Sequence, residues 1–126
     1  MNGKSWGINW LANSSVILIF IIMFSLFKGI FGGVDEELKQ ILEEKPILVD
    51  VRTVSEYAGG TVKGAVNMPL SEISHMANKL DKSKSIVVFC QSGNRSGQAR
   101  QILKNQGFTK VYNGGGWHSL KAIVEQ

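Results

Sequence analysis

The chain has a single cysteine, Cys90, which follows Val87, Val88 and Phe89 and precedes Gln91, Ser92, Gly93, Asn94, Arg95, Ser96 and Gly97. That order reads as strand, tight loop, helix start. A loop of this kind turns several backbone N–H groups inward, and the following helix adds the positive end of its dipole, so negative charge on a sulfur is stabilised there. Arg95 would add a permanent positive charge, and the Cys90 thiol is expected to ionise more readily than a free one. Gly93 suits a backbone conformation that side chains resist, and Ser96 is placed to cap the helix. A free cysteine that merely ends a buried strand is a small hydrophobe; the loop around this one points to a nucleophile. One cysteine excludes a disulfide framework. His75 and His118 stand far apart with no cysteine or carboxylate at ligand spacing, so no metal site is expected.

The elements that must position this loop show alternating periodicity. Leu38, Ile41 and Leu42 mark one face of a short helix, opened by the acidic residues Asp35, Glu36 and Glu37 and stopped by Pro46. Residues 47–51 and 86–89 are short apolar runs of strand length, which suit strands covered on both faces. Between them Leu70, Ile73, Met76, Ala77 and Leu80 form a helical stripe. After Cys90 a further helix carries Ala99, Ile102 and Leu103, with Gly107 as its C-terminal cap. Val111 and Tyr112 suggest another strand, and residues 117–124 a last helix. The pattern predicts an α/β domain with a mainly parallel central sheet flanked by helices. Ligands of such sheets gather outside the carboxyl ends of the strands, where Cys90 is expected.

The 126 residues accommodate one domain and an appendage. Every acidic residue lies at or beyond Asp35, whereas Lys4 and Lys28 are the only charges before it. Residues 10–27 carry no charge and are almost continuously apolar after Ser15, which predicts one transmembrane helix of about 27 Å. Trp6, Trp10 and Lys28 are residue types that sit at headgroup level. A cleaved signal would need small residues at its cleavage site, and Phe27, Lys28, Gly29, Ile30 and Phe31 offer no A-x-A pattern. The expected division is therefore a tail, membrane helix and glycine-rich exit over 1–33, with Gly29, Gly32 and Gly33 in the exit, and a catalytic domain over 34–126. Lys4 alone before the helix, against Lys28, Lys39 and Lys45 after it, predicts a single-pass protein with that domain in the cytoplasm.

The formal charge is +4, yet basic and acidic residues interleave over the domain without a long basic run. Nucleic acid is not an expected partner.

The chain from about Val34 onward resembles a rhodanese domain. The resemblance rests on Leu48, Val49, Asp50, Val51 and Arg52, on Glu56 and Tyr57, and on Gly64, Ala65, Val66, Asn67, Pro69 and Leu70. It continues through Cys90 to Ser96 and ends in Gly114, Gly115, Gly116 and Trp117. It implies a sulfurtransferase in which Cys90 carries sulfur as a persulfide, while Gln91, Ser92, Gly93, Asn94, Arg95 and Ser96 form the cradle. It also implies structural roles for Asp50, Arg52 and Glu56, with Arg52 and Glu56 pairing to pin the loop after the first main strand. The implied partners are a small donor, thiosulfate or a persulfide, and a thiol or cyanide acceptor, with no cofactor. Two positions depart from the pattern. Gly60, Thr61 and Val62 stand where many members have Gly-His-Ile, and Gln91 stands where thiosulfate-using members often carry a basic residue.

Two other functions compete. Related domains with an enlarged loop act as phosphatases or arsenate reductases, but those place five residues between cysteine and arginine, and four separate Cys90 from Arg95. Related domains without the cysteine only dock partners, in this case at a membrane, and Cys90 argues against that.

Overall fold

The computed structural model describes residues 14–126, and the side chains at positions 25–35 lie outside that description. The chain divides into two compact units, Met1–Glu36 and Glu37–Gln126. In the second unit four strands form one sheet in the order β2-β1-β3-β4, where β1 is Ile47–Asp50, β2 is Val66–Asn67, β3 is Ile86–Cys90 and β4 is Val111–Gly116. Every pairing is parallel. Helix α1 is Ser14–Glu43, α2 is Val54–Ala58, α3 is Ile73–Met76 followed by a 3-10 turn at Ala77–Lys79, α4 is Asn94–Asn105 and α5 is Trp117–Val124.

All five residues of β3 are buried, which explains why the strand reads as a continuous apolar run. Its side chains alternate between two cores. Ile86, Val88 and Cys90 join Val49, Val51, Ala99 and Leu103 on the side of α3 and α4, while Val87 and Phe89 join Leu38, Ile41 and Leu120 on the other. Cys90 is thus delivered by a strand held on both faces. The register between β3 and β4 shifts between Val88 and Cys90, so that Cys90 pairs with Gly116. This irregularity brings the end of β4 beside the cysteine.

Three expectations at the amino-terminal end need correction. Helix α1 takes in the positions where a glycine exit and an acidic helix start were expected, so Asp35, Glu36 and Glu37 do not open a helix. A glycine inside a helix costs about 1 kcal/mol, a weak penalty that neighbouring helix formers outweigh. The helix does stop before Pro46, with Lys45 at φ 54°.

The expected membrane anchor is also overturned: among the described residues no helix is long and apolar enough to cross a membrane. Further along, α1 is polar, with Glu36, Glu37, Lys39 and Glu43. Residues 10–13 of the expected anchor and the side chains of 25–27 lie outside the described residues. The single-pass, cytoplasm-facing assignment and the membrane partner fall with the anchor, because the lysine count has meaning only at the ends of a spanning helix.

Candidate active site

The loop after β3 closes on the Cys90 sulfur. The N–H of Gly93 donates to Sγ at 3.0 Å and the N–H of Ser96 at 3.4 Å, while Ser96 Oγ lies 3.3 Å from it. Gly93 adopts φ 99°, a left-handed conformation that lets consecutive N–H groups converge on one point. Burial opposes ionisation of Cys90, but the Ser96 hydroxyl and the N–H groups of Ser96, Ser92 and Gly93 outweigh it, so the thiol is lowered from its ordinary value. Gln91, Ser92 and Asn94 are exposed around this centre.

Ser96 does not cap α4 as expected. Gly93 is the N-cap residue, without a side-chain cap, and Ser96 lies inside the first turn, fully buried. As the third residue of the helix, Ser96 has a backbone N–H with no partner inside the helix, and that N–H reaches the sulfur. Its hydroxyl donates to Asn113 Oδ1 at 2.7 Å.

Arg95 contributes differently from the sequence expectation. Its Nη1 and Nη2 donate to the two carboxylate oxygens of Glu56 at 2.7 and 2.9 Å. Glu56 raises the Arg95 pKa, and the attraction between Arg95 and Cys90 is a smaller contribution. The thiolate is therefore supported chiefly by N–H groups and a hydroxyl.

The expected Arg52–Glu56 pair is absent. Arg52 pairs with Asp50 at 2.8 Å, both being buried, and donates to the Gly60 carbonyl at 2.6 Å. Asp50 also accepts from the Arg52 N–H and from the Thr61 hydroxyl at 2.7 Å. Thr61, one of the two departures from the family pattern, thus completes the shell of a buried carboxylate. The Arg52 guanidinium lies 4.6 Å over the Trp117 ring, whose Nε1 donates to Gln91 Oε1 at 3.2 Å. Glu56 belongs to the capping box of α2: its backbone N–H donates to Thr53 Oγ1 at 3.3 Å and its Oε1 accepts from the Thr53 N–H at 3.1 Å.

Asn113 and Thr61 are the site residues that sequence reasoning missed. The signal for Asn113 was a polar side chain on a strand beside the cysteine strand, visible only once β4 had been placed. His75 and His118 are exposed, and no group of three or more potential metal ligands occurs among the described residues. A cavity of about 320 Å³ beside Arg95 is lined by Val51, Thr53, Pro69, Leu70 and Ser71. A larger hollow of about 430 Å³, lined by Lys39, Pro46 and Ile123 among others, lies at the opposite, amino-terminal end of β1 and holds no nucleophile.

A buried cysteine in a tight N–H cradle at the carboxyl end of a parallel sheet is an arrangement suited to supporting a sulfur anion. Residues 34–122 match the family described as rhodanese-like domain, and the chain belongs to that family. The thiosulfate sulfurtransferase PspE of Escherichia coli is 41% identical over 70 residues, covering 54% of this chain and 67% of that protein. The thiosulfate sulfurtransferase GlpE of Shewanella oneidensis is 33% identical over 91 residues, covering 68% of this chain and 90% of that one. Among solved structures, the human single-domain sulfurtransferase TSTD1 superposes with a TM-score of 0.57 at 29% identity, over 72% of this chain and 93% of that one. These likenesses support sulfur transfer as the general activity and the parallel α/β rhodanese fold.

Proposed function

We propose that the chain is a sulfurtransferase that carries sulfane sulfur on Cys90 as a persulfide, within a domain spanning residues 34–126. The observation that carries this reading is the convergence of the Gly93 and Ser96 N–H groups on the Cys90 sulfur. With thiosulfate as donor, the Cys90 thiolate attacks the outer sulfur, the S–S bond breaks and sulfite leaves with the bonding pair. A persulfide anion remains on Cys90. A thiolate or cyanide then takes the terminal sulfur, and the Cys90 thiolate leaves with the electrons, which makes the cycle ping-pong. A persulfide donor enters by the same attack. The N–H groups that favour the thiolate also favour the anionic sulfur one bond further out. Gln91, Ser92, Gly93, Asn94, Arg95 and Ser96 form the cradle, and the cavity lined by Val51, Leu70 and Arg95 receives the body of the donor or acceptor. Asp50, Arg52 and Glu56 support the loops from behind.

Incubating the full chain with thiosulfate, or with a low-molecular-weight persulfide, is expected to add the mass of one sulfur at Cys90, which cyanide removes as thiocyanate. The Cys90→Ser variant is expected to fold and to take up none. Sulfur transfer at the full rate by that variant would reject the reading.

A further inference from the structure

Asn113 sits on β4, remote in sequence from the cysteine loop, yet it ties three parts of the site together. Its Nδ2 donates to the Gly93 carbonyl at 3.0 Å, and its Oδ1 accepts from the Ser96 hydroxyl at 2.7 Å and from the Gly115 N–H at 2.9 Å. Gly93 and Ser96 are the residues whose N–H groups point at Cys90 Sγ. We propose that Asn113 is a positioning residue for Cys90, acting through Gly93 and Ser96 to hold the loop in the shape that supports a sulfur anion. This rests on the sulfur-carrying role proposed for Cys90.

The charges around the sulfur leave this task to neutral groups. Of the charged side chains on neighbouring elements, Asp50 and Arg52 at the end of β1 are joined to each other, as are Glu56 on α2 and Arg95 on α4; further along, Arg100 of α4 donates to the Val111 carbonyl, Lys121 of α5 pairs with Glu125, and Lys104 of α4 and His118 of α5 are exposed. Residues 111–116 of β4 supply no charge. What remains is the geometry of the N–H groups and one hydroxyl proton. While Cys90 is neutral, the Ser96 hydroxyl donates to Asn113 and its oxygen faces the thiol. Once the thiol ionises, that oxygen would face a negative sulfur, so the hydroxyl turns to donate to it. Asn113 Oδ1 then keeps the Gly115 N–H and is not left bare. The contact with the Gly93 carbonyl persists in both states and keeps the Gly93 peptide oriented.

The test is the pH dependence of Cys90 alkylation by iodoacetamide in the full chain, which needs no sulfur donor. Asn113→Ala is expected to move the midpoint upward by about one pH unit, because the Gly93 peptide, freed from its carbonyl anchor, withdraws its N–H from the sulfur, a loss that outweighs the removal of the acceptor competing for the Ser96 hydroxyl. Ser96→Ala is expected to do likewise, and the double variant to fall short of the sum because the two residues share one contact. Arg100→Ala is the structural control: its Nε donates to the Val111 carbonyl, so it loosens the same strand without touching the loop. It is expected to lower the melting temperature and leave the midpoint in place. An unchanged midpoint in Asn113→Ala, an equal shift in Arg100→Ala, or strict additivity in the double variant would overturn the proposal. Failure of the wild-type chain to take up sulfur, with the midpoint shifts as expected, would reject only the sulfur-carrying role.

Discussion

Glu56 and Arg95, separated by 39 positions, meet through two parallel hydrogen bonds that join the start of α2 to the first turn of α4. The same carboxylate closes the capping box of Thr53, so one side chain secures a helix end and one wall of the cysteine loop. The Arg95 hydrogen bonds, followed by the Thr53 N–H, hold the Glu56 carboxyl at about 2, below its usual range. Because the folded value lies below the unfolded one, the stabilisation is present at neutral pH and lost as pH falls from about 4.5 to about 2. About a third of each side chain is exposed, so solvent screening leaves much less stabilisation than the shift alone implies.

Glu56→Gln should therefore destabilise the chain by about 0.5–1 kcal/mol at pH 7, with the difference from wild type shrinking toward zero as pH falls through that window. Urea unfolding at a series of pH values measures it. A difference that stays constant down to pH 2 would mean that the ion pair is not its source.

Arg95→Ala should slow sulfur uptake, because the loop loses its tie to α2, while moving the alkylation midpoint of Cys90 only slightly. The reason is that Glu56 already engages the guanidinium and the thiolate rests on N–H groups. An upward shift of a full unit would make the Arg95 charge the main support of the thiolate.

Asp50→Asn removes the charge that balances buried Arg52 and should cost about 3–5 kcal/mol, as is usual when one partner of a buried pair is lost. Thermal or urea unfolding is the measurement. A loss below about 1 kcal/mol would show that water reaches Arg52.

Gly116→Ala and Gly114→Ala should separate site from core. A Cβ on Gly116 would stand 2.9 Å from the Gln91 carbonyl oxygen and displace the cysteine loop, whereas one on Gly114 would stand 2.7 Å from Val87 Cγ1. The first is expected to cut sulfur uptake more than stability. The second should cost about 1–3 kcal/mol by overpacking, with alkylation of the folded protein preserved. Equal effects of the two on uptake would remove the distinction.

The apolar run into Cys90, the loop to Ser96 and the alternation of helical and strand patterns were legible in the sequence, because burial on both faces and tight turns restrict residue types locally. The family pattern made the cysteine the focus of the site. Partner choice was not legible. The resemblance implied that Arg52 pairs with Glu56, yet Arg52 precedes the N-cap Thr53 and turns back to Asp50, leaving the Glu56 carboxylate to Arg95. The apolar segment near the amino terminus suggested an anchor from composition alone, an expectation not supported by the described residues.

Residue types alone thus determined that the cysteine would sit at a strand end in a loop rich in N–H groups. Only the tertiary structure decided that Glu56 holds Arg95 rather than Arg52, that Thr61 completes the Asp50 shell, and that Asn113 clamps Gly93 and Ser96. Those contacts depend on how the strands and helices are brought together, those of Asn113 also on the pairing of β4 with β3, and they bring groups far apart in sequence to about 3 Å. A hydrogen bond weakens steeply beyond that distance, and local sequence carries no measure of it.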